Sequence, residues 1–450
     1  MARKNKVEMA IVNPNAAGID IGSRSHFVAV GTTKDDVKEF GVYAEDLTEL
    51  CEWLKEHGIT SVAMESTGDY WQNLYTEILK YNMEVTLCNG KFTKHPKGKK
   101  TDVLDCIHIQ KLHSLGLLTS SFLPEETTEK LRTYCRQRGN LIQQSAGASR
   151  KMQKYLKFLN FRLDVVVKDV CGLTGLKIID DICKGNLDPF SLAEHKHYNC
   201  KKSKEEIAKA LHGNNREDYL FGLKQEYEIY KFYQKQIKLC DKQIDKFIKE
   251  ILKQFPQRKK LKTTDKPYKR HNKNAPGIKN FNQVAFQYFD GIDLMAIEGI
   301  SHSTILSIMS EIGTEGFMKF ETSKQFASWL RLAPNNKISG GKTLSNRIPK
   351  GSNRLKIALR QAANAIGNLK DTHLSDFFRR VAFRKGRQAA ISATARKLAV
   401  IIWTMVTKKV QYRPPKEYLF LDQKRKLKMV TRMKKNIAKF AIEPEEIGFF

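Results

Sequence analysis

Acidic residues are the first scarcity in this sequence: 48 Asp and Glu stand against 79 Lys and Arg in 450 residues, a formal net charge of +31. So large an excess goes beyond what solubility needs and points to polyanionic partners, nucleic acid first among them. Long apolar runs are missing as well. The longest, near Leu398 to Val406, falls far short of the roughly 20 residues that a membrane span needs. No transmembrane helix and no membrane partner are therefore expected. The N-terminus, MARKNKVEMAIVNPN, starts basic but lacks an apolar stretch followed by a small-residue cleavage site. No secretory signal is expected there, and the protein should stay cytoplasmic. None of the eight cysteines, scattered from Cys51 to Cys240, forms a Cys-x-x-Cys pair. In a cytoplasmic chain they read as reduced, mostly buried thiols. His195, His197 and Cys200, with Cys183, have some metal-ligand character, but their spacing repeats no zinc pattern.

The length is enough for two or three domains, each with its own core. Over the first 120 residues strand and helix signals alternate. Gly18 to Asp20, His26 to Val30 and Lys38 to Val42 read as three strands. A helix beginning after Ala44 follows, with Leu47, Leu50, Cys51 and Leu54 at helical spacing. Ser61 to Met64 is a short apolar strand ending at Glu65, Tyr70 to Tyr81 a helix, and Met83 to Cys88 a buried strand. Thr101 then caps a helix with Val103, Leu104, Ile107 and Leu112 on one broad face. The pattern predicts a mixed sheet flanked by helices, an α/β fold.

From about Glu126 to Leu252 the signal is helical, with an irregular interruption between roughly Asn160 and Ser203. Leu220, Leu223, Tyr227, Tyr230, Ile237, Ile244, Ile248 and Ile251 recur at steps of three, four or seven, a heptad seam. The seam fits a coiled-coil or helical-hairpin arm that joins subunits into a dimer or tetramer; a helix packed on its own domain fits it too. Arg258 to Lys273 carries eight Lys or Arg and one Asp, with Pro267 inside, and reads as a flexible basic linker. Beyond it, Leu294 to Ile312 reads as helix, turn, helix about Gly299. Ser339 to Asn353 is polar and glycine-rich, a loop, while Leu355 to Ile366 and Ala389 to Val406 are helical. The expected division is 1–125, 126–285 and 286–450.

Asp20 lies in Gly-Ile-Asp-Ile-Gly-Ser on an apolar strand, where a carboxylate is costly unless something positive neutralises it. Glu65 ends its strand in the same way. Asp102 and Asp105, three apart on a helix, face one direction. Singly, each has an ordinary account: a turn cap, a helix start, a first-turn acid. Together, from two strands and one helix, they can converge at a sheet edge, where divalent cations would hold them and provide Mg²⁺ for phosphoryl transfer.

At these residues the chain resembles the DEDD transposases of bacterial insertion sequences, insertion sequence family 110, whose recombination is guided by a structured bridge RNA. The similarity runs from Gly18-Ile-Asp20 through Met64-Glu65-Ser-Thr-Gly68 to Lys100-Thr-Asp102-Val-Leu-Asp105. It resumes over Gly299 to Gly313, Phe326 to Pro334, Ser339-Gly340 and Ala395-Arg396-Lys397-Leu398. The resemblance implies a RuvC-like, RNase H-type N-terminal domain, a helical arm and a mostly helical C-terminal domain. It further implies Mg²⁺ on Asp20, Glu65, Asp102 and Asp105, donor and target DNA and a bridge RNA as partners, and a composite site. Its second element is a serine followed by glycine, here Ser339, with Ser345 and Ser352 as alternatives on spacing. Lys342, Arg347 and Lys350 lie close enough in sequence to stabilise a phosphorane. Lys100, Arg396 and Lys397 are further candidates for nucleic-acid contact, and Gly299 fits either a helix-hairpin-helix phosphate turn or a core turn. Basic clusters at 379–387, 424–428 and 432–435, with Phe377, Phe378 and Phe383 among the first, suit backbone and stacking contacts. Asn89-Gly90 and Cys106 depart from the family's usual residues without removing a ligand.

Overall fold

The structure is a computed structural model that describes residues 9–90, 93, 101–253, 273–351, 353–414, 418–441 and 443, with the backbone alone for 418–425. Lys100, Ser352 and all of the expected basic linker except Lys273 lie outside the described residues. The chain divides into two compact units, 1–123 and 124–450.

The first unit is built on five strands: β1 (Ala16–Ile21), β2 (His26–Ala29), β3 (Val37–Phe40), β4 (Ser61–Glu65) and β5 (Glu84–Cys88). Their order is β3-β2-β1-β4-β5. The first three form an antiparallel meander, while β1, β4 and β5 run parallel. Helices α1 (Ala44–Glu56), α2 (Trp71–Lys80) and α3 (Asp102–Ser114) complete it, so the mixed sheet with flanking helices is as the sequence predicts. Alternation sorts the side chains by face. Ala17, Ile19, Ile21, Val62 and Met64 join Leu47, Leu50, Leu54, Leu74 and Ile78 in one core. Gly18, Asp20, Ser61, Ala63 and Glu65 therefore point to the other face, where α3 lies. A Cβ at Gly18 would collide with backbone atoms of Cys106 and Gln110, so glycine here is what lets α3 lie directly on β1.

Two histidines are enclosed in this unit. His113 bonds through Nε2 to the Ser61 hydroxyl at 2.7 Å, and His26 is almost fully buried with no partner for Nδ1. Burial lowers the pKa of both, slightly opposed at His113 by Glu84. Each is thus held neutral in the folded state and gains its proton more readily when unfolded. Their contribution to stability is present above the unfolded value near 6.5 and is lost as pH falls through the depressed folded values. The first unit is expected to melt at a lower temperature at pH 5.5 than at pH 7.5. A His113→Gln variant should show a shallower dependence, and equal slopes for variant and wild type would exclude His113 as a contributor.

Among its described residues the second unit is helical except for one small hairpin. Its frame is α4 (Glu126–Phe158) against a helix of 37 residues, Glu217–Lys253, with four short helices between them: α5 (Leu163–Val166), α6 (Leu173–Cys183), α7 (Pro189–Ala193) and α8 (Lys204–Lys209). The long partner is α9. The two run antiparallel, since Lys151 meets Glu226, Ser145 meets Gln234 and Arg138 meets Asp241. Where the sequence suggested an irregular interruption, the short helices close a core of their own, with Phe161, Ile178, Ile179, Leu192 and Ile207 packed against Leu156, Leu223 and Tyr227.

The heptad seam lies inside this pair. Leu223, Tyr227, Tyr230, Ile237, Ile244, Ile248 and Ile251 are all buried within a single chain. The expectation that Ile237, Ile244 and Ile251 form a contact between subunits is therefore corrected: the stripe is already covered. Lys273, the last residue of the expected linker, is anchored by Asp169 at 2.8 Å and the Cys171 carbonyl at 3.0 Å.

Besides a 3-10 turn at Leu294–Ala296, the remaining described elements are α10 (Phe281–Tyr288), α11 (His302–Glu311), α12 (Glu315–Met318), α13 (Ser323–Trp329), β6 (Lys337–Ser339), β7 (Lys342–Ser345), α14 (Arg354–Ile366), α15 (His373–Lys408) and α16 (Tyr418–Phe440). α15 contains the one described stretch long and apolar enough to cross a bilayer by length and composition, and 50% of it is buried inside the unit. Leu398, Ala399, Ile402 and Met405 are core residues there.

Candidate active site

In the first unit, Ile19 of β1 pairs with Met64 of β4 in parallel register. One step on, Asp20 and Glu65 are level on neighbouring strands, and parallel pairing sends both side chains to the face that carries α3. Thr101 caps α3, its hydroxyl accepting from Leu104 N at 3.3 Å. Asp102 and Asp105 thereby fall in the first turns, where the positive end of the helix dipole favours carboxylates. Asp20, Glu65 and Asp105 are half-buried, and Asp102 is exposed.

Two thiols report where these charges lie. Cys106 on α3 is pushed up to about 12, first by burial and further by the nearby Asp20 and Asp105 carboxylates. Cys88, ending β5, is pushed up to about 12 by burial and by Glu65. One buried sulfur thus feels a carboxylate from the strand and another from the helix.

Glu65 is held by contacts that the sequence reading missed. Thr67 donates to Oε1 at 3.1 Å and Thr93 to Oε2 at 2.6 Å. The backbone of Gly90 lies so close that a Cβ there would strike the Glu65 carboxylate. A glycine just past the strand beside Glu65 was the available signal. Among the described residues no three His, Cys, Asp or Glu side chains are grouped tightly enough to cage a metal ion. Magnesium does not need such a cage: it keeps waters and takes one or two carboxylates together with substrate phosphates. An all-oxygen donor set, level on two strands and continued on α3, fits that hard cation. Three of the His195, His197, Cys200 and Cys183 group are otherwise engaged: His195 bonds Asp181 at 2.6 Å, the His197 ring lies tilted against Tyr198 and Cys200 faces the Val166 carbonyl.

In the second unit, Ser339 ends β6 and pairs with Lys342 of β7 across Gly340-Gly341. Both glycines have positive φ, +54° and +72°, which a tight two-residue hairpin turn demands. The stretch expected to be wholly loop therefore begins as a β-hairpin, with Ser339 exposed beside its tip. Lys342, Arg347 and Lys350 are exposed as well. Ser345 accepts from Arg347 N at 3.4 Å, and Arg331 anchors the Lys350 carbonyl at 2.6 Å.

Other candidates are placed for packing. Gly299 has φ +78°, and a Cβ there would strike Ile366 and the Ala362 carbonyl of α14, so its turn is packed against the core. Arg396 and Lys397 are half-buried. Lys397 Nζ lies 4.7 Å from the Phe377 ring centre, its pKa lowered by burial and by Arg380. Phe378 is buried, which removes it from the expected stacking residues.

Two family models match the chain. Residues 17–161 match a transposase model of the DEDD type of IS110 elements, and residues 293–379 match the transposase IS116/IS110/IS902 family. A probable family 20 transposase of Pseudomonas aeruginosa is 29% identical over 126 residues, 27% of this chain and 36% of the relative. The match thus spans about a third of that relative's length. The DEDD model implies an RNase H-like fold for the first unit, in keeping with its mixed five-stranded sheet. With both family models matched, one over the carboxylate-bearing sheet and one in the helical second unit, the chain belongs to the IS110 family of transposases.

Proposed function

We propose that this chain is a recombinase that cuts, exchanges and rejoins DNA strands of a mobile element, with Asp20, Glu65, Asp102 and Asp105 as metal ligands and Ser339 as nucleophile. The observation that carries the reading is the level placement of Asp20 and Glu65 on one sheet face, with α3, whose first turn bears Asp102 and Asp105, lying over that face at Gly18. Magnesium held by these carboxylates would orient the scissile phosphate and neutralise charge on the departing 3′ oxygen. Ser339 attacks phosphorus, the bond to the 3′ oxygen breaks, and a 5′-phosphoserine link results; attack by a 3′ hydroxyl of the new strand reverses it. The exposed Ser339 hydroxyl beside Lys342 supports this role, because an incoming phosphate can reach it without rearrangement of a core. Donor and target DNA and a bridge RNA are the proposed partners, and the working form is a homo-oligomer. Trapping a covalent protein–DNA adduct whose formation stops on chelation of divalent cations tests the reading. Cleavage with no adduct at any time would favour a resolvase-like nuclease that uses water.

Binding should rest largely on phosphate neutralisation, given the net charge of +31. Affinity is expected to fall steeply between low and high salt, with a log–log slope of roughly −0.7 to −0.9 per phosphate contacted. A slope near zero in a fluorescence-anisotropy titration would contradict this.

A further inference from the structure

α15 is interrupted at Gly386, where φ 79° and ψ 166° leave the helical region. Phe378 before the break and Ala390 after it are buried, while residues 383–388 are exposed without exception. The break therefore pushes a short knuckle off the core. At its start stands Phe383, 94% exposed, with no packing role in this unit. Around it lie Arg379, Arg380, Arg384, Lys385 and Arg387, and no acidic residue occurs from 377 to 408. Arg379 is steadied by the Leu369 carbonyl at 2.6 Å and Arg387 by Asn364 Oδ1 at 2.7 Å. These anchors fix the guanidinium groups without neutralising them.

We infer that Phe383 is a stacking platform for an unpaired nucleobase, with the surrounding arginines and Lys385 holding the phosphates on either side of that base. The inference rests on the nucleic-acid reading above and adds a specific contact to it. An aromatic face gains from stacking on any base, and a cationic rim tracks the backbone. A bilayer surface suits this knuckle less well, since Phe383 is the one apolar side chain in 383–388 and interfacial helices bury a whole apolar face.

The test compares wild type, Phe383→Ala and Phe383→Trp on three probes: a fully paired duplex, the same duplex with a single-nucleotide bulge carrying 2-aminopurine, and a single-stranded RNA of equal length. Because Phe383 packs against nothing, the substitutions should leave the melting temperature unchanged. Phe383→Ala is expected to bind the bulged duplex and the RNA about tenfold more weakly, to leave the paired duplex unaffected and to lose quenching of the 2-aminopurine. Phe383→Trp should restore both affinity and quenching. A loss confined to one of the two probes with unpaired bases assigns the platform to DNA or to RNA. Equal affinity of wild type and Phe383→Ala on every probe overturns the inference, as does an equal loss on paired and unpaired probes. Failure of wild type to bind any of the three would instead sink the nucleic-acid reading itself.

Discussion

Ser339→Ala is expected to abolish the covalent adduct and recombination, by about 10⁴-fold or more, while magnesium binding stays near wild type. The substitution deletes one exposed hydroxyl from a hairpin tip and touches no carboxylate. On the proposed mechanism the variant lacks the nucleophile, for which the four carboxylates offer no substitute. Asp20→Asn should act differently. It keeps the shape of the side chain on β1 but removes a charge level with Glu65, so magnesium affinity should fall together with cleavage. A loss on the order of 10³-fold is expected, because several kcal/mol of transition-state charge stabilisation go with the cation. Isothermal titration with Mg²⁺, alongside adduct formation on a donor–target pair with the proposed bridge RNA supplied, separates the two variants. If Ser339→Ala recombines at wild-type level, the serine step is wrong at this residue, and Ser345 and Ser352 must be tested before water is adopted as nucleophile.

The parts of the molecule that the sequence makes legible are those where one face is buried. Strand alternation in 16–21 and 61–65 and helical spacing in α1 follow from period-two and period-3.6 burial, and the four carboxylates stand out because each interrupts or borders such a run. α3 is a helix as expected, but its buried face is Cys106, Ile109, Gln110 and His113 rather than Val103, Leu104, Ile107 and Leu112. The hold on Glu65 was not legible, because Thr93 and Gly90 reach it through space from beyond the next strand. The hairpin about Gly340-Gly341 was hidden for another reason. All of its residues but Ser345 are exposed, so no burial pattern marks the strands, and only the glycine pair announces the turn. Phe377, Phe378 and Phe383 look alike in sequence, and only their places on the folded α15 separate a buried ring, Phe378, from an exposed one, Phe383.

The apolar residues of the α9 seam are interrupted by two polar ones, and these carry the second large expected effect. The run 223, 227, 230, 234, 237, 241, 244, 248, 251 alternates steps of four and three without a gap once Gln234 and Asp241 are included. Each meets a matching partner on α4: Gln234 donates to Ser145 at 2.8 Å, and Asp241 accepts from Arg138 at 2.6 Å. Arg138 also donates to the carbonyls of Asn274 at 3.1 Å and Ala275 at 3.0 Å, so one guanidinium ties α4, α9 and the segment entering α10. Sliding the helices by a turn would leave both ions buried without partners, which is how polar seam residues select one register. Asp241→Ala should therefore cost about 3–5 kcal/mol, since it strands a buried charge. In a unit of this size that is a fall in melting temperature on the order of 10 °C. The double variant Arg138→Met with Asp241→Leu removes both charges and keeps the volume, so it should recover most of the loss, though with weaker control of register. Thermal melts of the three proteins decide the matter. A single variant as stable as wild type would show that the guanidinium finds enough compensation in the two carbonyls, and a double variant no better than the single would show that Asp241 contributes packing rather than charge.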